Sequence, residues 1–462
     1  MKLRTFVAIA LAVLSVRAVA ADPPAKHPIT HEDMWLMTRV SGPEASPDGR
    51  WIVFGVAEPA YDDAAKSSDI WIVPSDGSQP PRKLTAGKAG ESDVAWSPDS
   101  TRIAFTAKRE GDDENQAYVL QLVNGGDAQR VTNLVGGASA PVWSPDGRKL
   151  LVTTRVYAGT RNDTENRKLY EERKARKYNA RTYDAFPIRH WDRWLDELQP
   201  TLVVQSLDAG AEPRDLLGGT AMRASRGYGG RLGNSGETLD ADWTPDGAAV
   251  VFAATTERDQ AARANVGLAL WQVSAEGGEP RRLTGPGRDY SQPGFTPDGR
   301  RLLAKAERVS QQWVYNATRL VQWSWPLQGE PAEVIDGFDG SVDDYHVAAD
   351  SRSVYFLAEQ AGRRKLFVAP LEHGLAAEVG KLEAGTYAGF SLGGEAAAPV
   401  IAAGWGSAVS PTEIGRVDAA SGQWRALSTF NAARVAQLDW QPLQEFWFTS
   451  KRGRRIQSFV AL

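Results

Sequence analysis

Residues 387–396 read Tyr-Ala-Gly-Phe-Ser-Leu-Gly-Gly-Glu-Ala, and within them Gly389-Phe390-Ser391-Leu392-Gly393 spells G-x-S-x-G. In that spelling a serine on a sharp strand-to-helix turn presents its hydroxyl for acyl transfer. The chemistry needs an imidazole to take the hydroxyl proton and a carboxylate to orient the imidazole. On an α/β-hydrolase sheet both follow the serine in the chain. This chain has five histidines, His27, His31, His190, His346 and His373, and all of them precede Ser391. After Ser391 come Gly393, Gly394 and Pro399, then Val400-Ile401-Ala402, which predict a turn and a strand rather than a helix. Ser391 is therefore read as a strand residue without a base, and no catalytic residue is assigned.

Other chemistry is sparse. His27 and His31 have a helical metal-binding spacing, but Pro28 separates them and no third ligand is evident, so no metal site is assigned. There is no cysteine, which excludes thiolate–zinc sites, cysteine nucleophiles, disulfides and a lipid-anchored mature start. No phosphate-binding glycine loop occurs, and no cofactor is expected. Residues 161–181 hold eight basic and four acidic residues, with Glu172 and Arg176 spaced to pair on one helical face. They lack the interleaved aromatics of a stacking surface and read as a solvated helix or loop. Residues 186–198 crowd Phe186, Arg189, His190, Trp191, Asp192, Arg193 and Trp194 together. Two readings stand: the tryptophans anchor this segment, or it shapes a substrate cleft. The acids Glu110, Asp112, Asp113 and Glu114 likewise form either a solvated turn or a binding site for an ammonium group.

The elements that must position these groups are announced by a repeat. Ser-Pro-Asp-Gly-Arg-Trp-Ile-Val-Phe begins at residue 46, and its variants begin at 97, 144, 244 and 296, with a worn copy at 348. Proline presets φ, aspartate bonds the backbone ahead of it, and glycine takes positive φ, so each copy predicts a β-turn followed by an apolar strand. A strand–turn–strand unit follows each copy, as at 69–85, 117–132, 200–217, 268–284 and 365–380. Four strands recurring every ~45–52 residues are the unit of a propeller blade. The double step from 144 to 244 is read as one blade with an insertion at about 155–199, and residues 386–428 supply a degenerate seventh unit. Ahead of the ring, Thr30 and Asp33 predict a capped short helix.

The chain has 462 residues, 42% hydrophobic and 24% charged, with a formal charge of -4. Lys2 and Arg4 precede an apolar run over residues 5–16, and Ala18-Val19-Ala20 is a small-x-small cleavage site, so residues 1–20 are read as a signal peptide. Export is expected, with no membrane association after cleavage. A mildly acidic mature chain argues against a nucleic-acid partner.

The opening 29–54, the repeats, Ile188-Arg-His-Trp-Asp-Arg-Trp194 and the closing 445–460 together resemble the S9 serine peptidases, the prolyl oligopeptidase, dipeptidyl-peptidase and acylaminoacyl-peptidase relatives. The resemblance implies an all-β, seven-bladed propeller of four-stranded blades with a short C-terminal stub resembling the start of an α/β-hydrolase domain. Its divisions are a signal peptide at 1–20, a helical segment at 21–40, the propeller at 41–440, and the stub at 441–462. It implies a peptide substrate handled together with a hydrolase domain beyond this chain, and a propeller inactive alone. The substrate-binding residues it suggests are Glu110, Asp113, Glu114, Arg189, Trp191 and Trp194. The alternative is a stand-alone TolB-like propeller acting through protein partners; such proteins carry a separate α/β domain before their repeats. Exposed Phe446, Trp447, Phe448 and Phe459 predict poor solubility for the chain by itself.

Overall fold

The computed structural model describes residues 25–461 except 88–89, 123–124, 179, 181–188, 191–192, 195–196, 234–235, 314 and 383, and it leaves out the side chains of 189, 190, 193 and 194. Seven four-stranded antiparallel sheets form a propeller, as the repeat predicts. Five blades are built from strands consecutive in the chain; in blade 3 the strands of the insertion intervene, and in blade 6 the short strand Gly374–Leu375 does. The first comprises Arg39–Ala45, Trp51–Glu58, Ser67–Pro74 and Arg82–Lys83, and the seventh Thr386–Gly393, Val400–Ser407, Ser410–Val417 and Trp424–Ala426. Among the described residues, no strand is exchanged between first and last blade. Apolar side chains from neighbouring blades pack face to face. Val53, Ile70 and Ile72 of blade 1 meet Ile103, Phe105 and Tyr118 of blade 2 in one buried cluster, for example.

The repeat earns its spelling at the turn after each inner strand. Ser46, Ser97, Ser144, Thr244 and Thr296 each donate a hydroxyl hydrogen bond to the aspartate two residues on, at 2.5–2.6 Å. The same oxygens accept the amide of the first residue of the next strand, at 2.9–3.1 Å. The tryptophan before the serine joins blades. Trp96, Trp143 and Trp243 donate their indole N–H to the carbonyls of Glu44, Ala95 and Val142 on the preceding blade, at 2.9, 3.0 and 3.2 Å.

The ring closes between blades 7 and 1. The hydroxyl of Ser391 accepts the amide of Ala45 at 2.8 Å, and Gly394 N–H donates to Pro47 O at 3.0 Å. Asn431 clamps both backbone groups of Thr38 at 2.9 Å each, and His27 pairs with Leu438 as a parallel bridge. The helix His31–Trp35 starts with the expected reciprocal cap between Thr30 and Asp33.

Alternating strand direction gives the ring two ends. One end holds the Ser-Pro-Asp-Gly turns and the turns joining third to fourth strands, and is called the turn face here. The other holds the hairpins joining second to third strands and the connections between blades, and is called the loop face. The excess of blade 3 lies on the loop face. Strands Lys149–Tyr157 and Leu198–Ser206 pair along their whole length, so the inserted segment is 158–197. It begins with a helix, Asp163–Lys174, capped by Asn162. A second excess, not foreseen in the repeat, fills 216–240 with a one-turn helix, Ala221–Ala224, and the hairpin Arg231–Gly233/Gly236–Thr238. Buried polar groups fix it: Arg223 pairs with Asp215 and reaches Thr201 Oγ1 at 3.2 Å, while Arg258 pairs with Glu237. After the ring, Gln444–Thr449 and Arg455–Val460 form a separate hairpin held to blade 6 by Arg363–Glu445 at 2.9 Å and Gln457 to Ala361 O at 3.0 Å.

Candidate functional site on the loop face

The inner strands line an axial cavity of about 500 Å³. The residues two and four places before each repeat serine or its equivalent include Glu44, Asp93, Asp240, Asp242, Asp344 and His346. A local bulge in most of these strands interrupts the pairing at this level, between Ser41 and Glu44, Ser92 and Ala95, Ser291 and Gly294, and Val342 and Asp344. Burial pushes the Asp242 carboxyl up to about 6, although it accepts the amides of Trp243 at 2.8 Å and Phe295 at 3.3 Å. Burial, reinforced by the charge of Asp344, pushes Glu44 up to about 8. Burial lowers His346 and raises Tyr345, whose hydroxyl donates to Gln292 O at 2.7 Å. Two inner-strand carboxyls, Glu44 and Asp242, thus hold their protons above the usual carboxylate range.

Cations gather where the axis meets the loop face. Arg231, on the second inserted hairpin, reaches Asp240 and Asp289 at 3.2 Å each and Tyr290 O at 2.6 Å. Lys305 donates to Asp343 O at 2.6 Å, and Arg364 pairs with Asp343 at 2.9 Å.

The described residues among those singled out from sequence fall on this face, in two groups. Glu110 and Asp113 are exposed and Glu114 is half-buried on the hairpin of blade 2. Asp112 between them is a framework residue: it accepts Tyr118 Oη at 2.6 Å and Arg109 N at 3.0 Å and pairs with Arg130 at 3.1 Å. Burial first, then this carboxylate, pushes the Tyr118 hydroxyl up to about 12. Arg189–His190 and Arg193–Trp194 form a minimal hairpin with Arg189 opposite Trp194, while Trp191 lies outside the described residues. The inserted helix is tied to the connection beside the acids, through Asp163 to Val135 N at 3.2 Å and Arg167 to Asn133 O at 2.6 Å. The acidic hairpin and the insertion are therefore neighbours on one surface. The axial acids were missed, although lining up the residues before each repeat serine exposes them, and Arg231 on the second inserted hairpin was missed with no such signal.

Ser391 is 2% exposed in the inner strand of blade 7, and its oxygen is occupied by Ala45. Leu392 and Gly393 continue that strand opposite Ile401 and Val400, so the worn turn begins at Gly394, two residues later than the sequence suggests. The G-x-S-x-G is a seam, and its final glycine is set by packing, because a Cβ on Gly393 would collide with the carbonyl oxygen of Ser46.

Dipeptidyl-peptidase 5 of Porphyromonas endodontalis is 25% identical over 437 residues, covering 94% of this chain and 60% of its own length. The acylaminoacyl peptidase of Pyrococcus horikoshii superposes with a TM-score of 0.69 at 16% identity, over 93% of this chain and 58% of that one. The chain is similar to the propeller portions of these peptidases. The β-propeller domain of the Trilobed protease of Pyrococcus furiosus, described as having an open velcro topology, matches over 86% of this chain and 99% of its own at a TM-score of 0.56 and 13% identity. The ring here likewise has no strand exchanged between first and last blade among the described residues. A TolB β-propeller domain profile matches residues 36–173, within the first three blades and the start of the insertion. This chain spans about 60% of the length of the dipeptidyl-peptidase 5 relative.

Proposed function

We propose that this chain is the substrate-handling propeller of an exported S9-type serine peptidase that releases dipeptides or acylated residues from peptide ends. The nucleophile, its histidine base and its aspartate belong to an α/β-hydrolase domain that sits against the loop face, and neither metal nor cofactor is needed. The observation that carries the reading is the alignment of 94% of the chain with part of a dipeptidyl-peptidase. The fate of Ser391, buried and bonded across the ring seam, supports it. In this reading the loop face admits short peptides. Glu110, Asp113 and Glu114 offer carboxylates to a free amino terminus, and Arg189, Trp191 and Trp194 complete the cleft.

The test uses a fluorophosphonate probe and two chromogenic substrates, a dipeptidyl anilide and an acetylaminoacyl anilide. The native protein purified from its source should be labelled at a serine outside residues 25–461 and should cleave at least one substrate. The 462-residue chain alone should do neither. Labelling at Ser391, or turnover by this chain that Ser391→Ala abolishes, would overturn the assignment. Alanine at Glu110, Asp113 and Glu114 should lower kcat/KM of the native enzyme by about tenfold; an unchanged value would remove the loop-face part.

A further inference from the structure

We propose that blade 5 carries an anion-binding basin on the loop face that takes the C-terminal carboxylate of a peptide. Arg288 opens the inner strand, Arg288–Phe295; Arg308 ends the second, Arg301–Arg308; Arg319 opens the third, Arg319–Ser324. All three therefore stand at the loop-face end of one sheet. Arg288 is the direct cross-strand partner of Arg308, and Arg319 is opposite Ala306, two residues away. Together with Gly287, Asn316 and Glu333 they line a cavity of about 710 Å³.

Two like charges directly opposite on adjacent strands are destabilising unless something lies between them. Among the described residues, neither the Arg288 nor the Arg308 side chain has a hydrogen-bond or ion-pair partner, and Glu333, the carboxylate in the lining, pairs with neither. Glu330 acts on the same buried Tyr290 as Arg288 does, also without pairing. Arg319 is held in place by the carbonyls of Phe338 and Gly340, which orient its guanidinium without neutralising it. Nearer the axis, by contrast, Arg231 has two carboxylates and Arg364 has one. Ala306, opposite Arg319, also lines the cavity, and Gly287 has nothing within 4 Å of its Cβ position. Planar guanidinium groups facing an open basin suit a carboxylate held by paired N–H donors.

The loop above the basin presents Trp313, 59% exposed, and Tyr315, 95% exposed. Aromatic rings beside an anion site give the last side chain of a peptide a surface to lie on, which a bare inorganic anion does not use. The choice of a peptide over an inorganic anion rests on the peptidase reading above; the anion site itself does not.

The experiment is a titration of the 462-residue chain, which needs no turnover, with an N-acetylated tetrapeptide ending in phenylalanine, as free acid and as amide, and with inorganic phosphate. The free acid should bind at least tenfold more tightly than the amide, and its affinity should fall as salt rises. Arg288→Gln and Arg308→Gln should each weaken the acid about tenfold while leaving Tm equal or higher, since each relieves repulsion. Equal binding of acid and amide, or undiminished binding by both variants, would overturn the proposal. Phosphate displacing the acid with equal affinity would overturn its peptide part. Peptidase assays on the native enzyme are independent of all three results, so either reading can fail alone.

Discussion

The two ends of the ring obey different rules. On the turn face, five of seven blades use the same hydroxyl–aspartate–amide bonds within a few tenths of an ångström. On the loop face the hairpins differ widely: blades 6 and 7 turn within two residues, Ala361-Gly362 and Ala408-Val409, whereas blade 3 takes the forty residues 158–197 over the same step. Repetition marks the end where the chain satisfies only itself. Variation marks the end where unpaired arginines, exposed aromatics and acids remain, and that is where a partner or substrate has something to bind.

Substitutions at each end can break this contrast. The largest effect is expected at the seam. Gly393→Ala drives a Cβ into the Ser46 carbonyl oxygen and should lower unfolding free energy by more than about 3 kcal/mol, whereas Gly389→Ala, in open space, should cost ~0.5 kcal/mol or less. Chemical denaturation of the two variants measures the difference. Ser391→Ala should cost about 2 kcal/mol, because it orphans the buried amide of Ala45, and should leave labelling of the native enzyme by a serine-directed probe intact. Ser144→Ala makes blade 3 resemble the worn turn of blade 6, where Ala348 keeps only the backbone bonds to Ser353 and Ser351; a cost of about 1 kcal/mol is expected in the same assay.

The axis gives a pH-dependent test. Glu44 has its folded-state value raised to about 8 and Asp242 to about 6, so the folded chain holds these protons more tightly than the unfolded chain. The resulting stabilisation is complete below the ordinary carboxylate range and is lost as pH rises through those values. Glu44→Gln should thus match the parent Tm near pH 4 and exceed it by about 3–5 °C at pH 9. A constant offset across that range would refute the assignment. The smallest effect belongs to the loop face: alanine at Glu110, Asp113 and Glu114 together should move stability by no more than ~0.5 kcal/mol, since none is a framework group as Asp112 is.

The blades were legible because their signal is local. A proline, an aspartate and a glycine in a row specify a turn whatever surrounds them, and the strand after it is apolar on both faces because both are buried between blades. The second connection, 216–240, was not legible, because it is fixed by Arg223 to Asp215 and by Arg258 to Glu237, pairs that mean nothing until the strands around them are placed. The axial acids were overlooked for the opposite reason. Asp242 and Asp344 read as the solvated alternate positions of ordinary strands, and only the ring turns that side inward. Ser391 shows how a motif misleads: the letters match a nucleophile's, but the strand pairing and the neighbour at Ala45 decide the role.

The unexchanged strands bear on how the molecule is made. A ring latched by strand exchange leaves its first blade unfinished until the final strand is synthesised. Here the first blade has all four strands once Lys83 has left the ribosome, and each later blade can fold onto a finished neighbour. Only the seam must wait. Ala45 and Thr38 hold their amides ready for Ser391 and Asn431, which emerge about 350 to 390 residues later, so ring closure is the last step in assembling the propeller rather than a condition for beginning it.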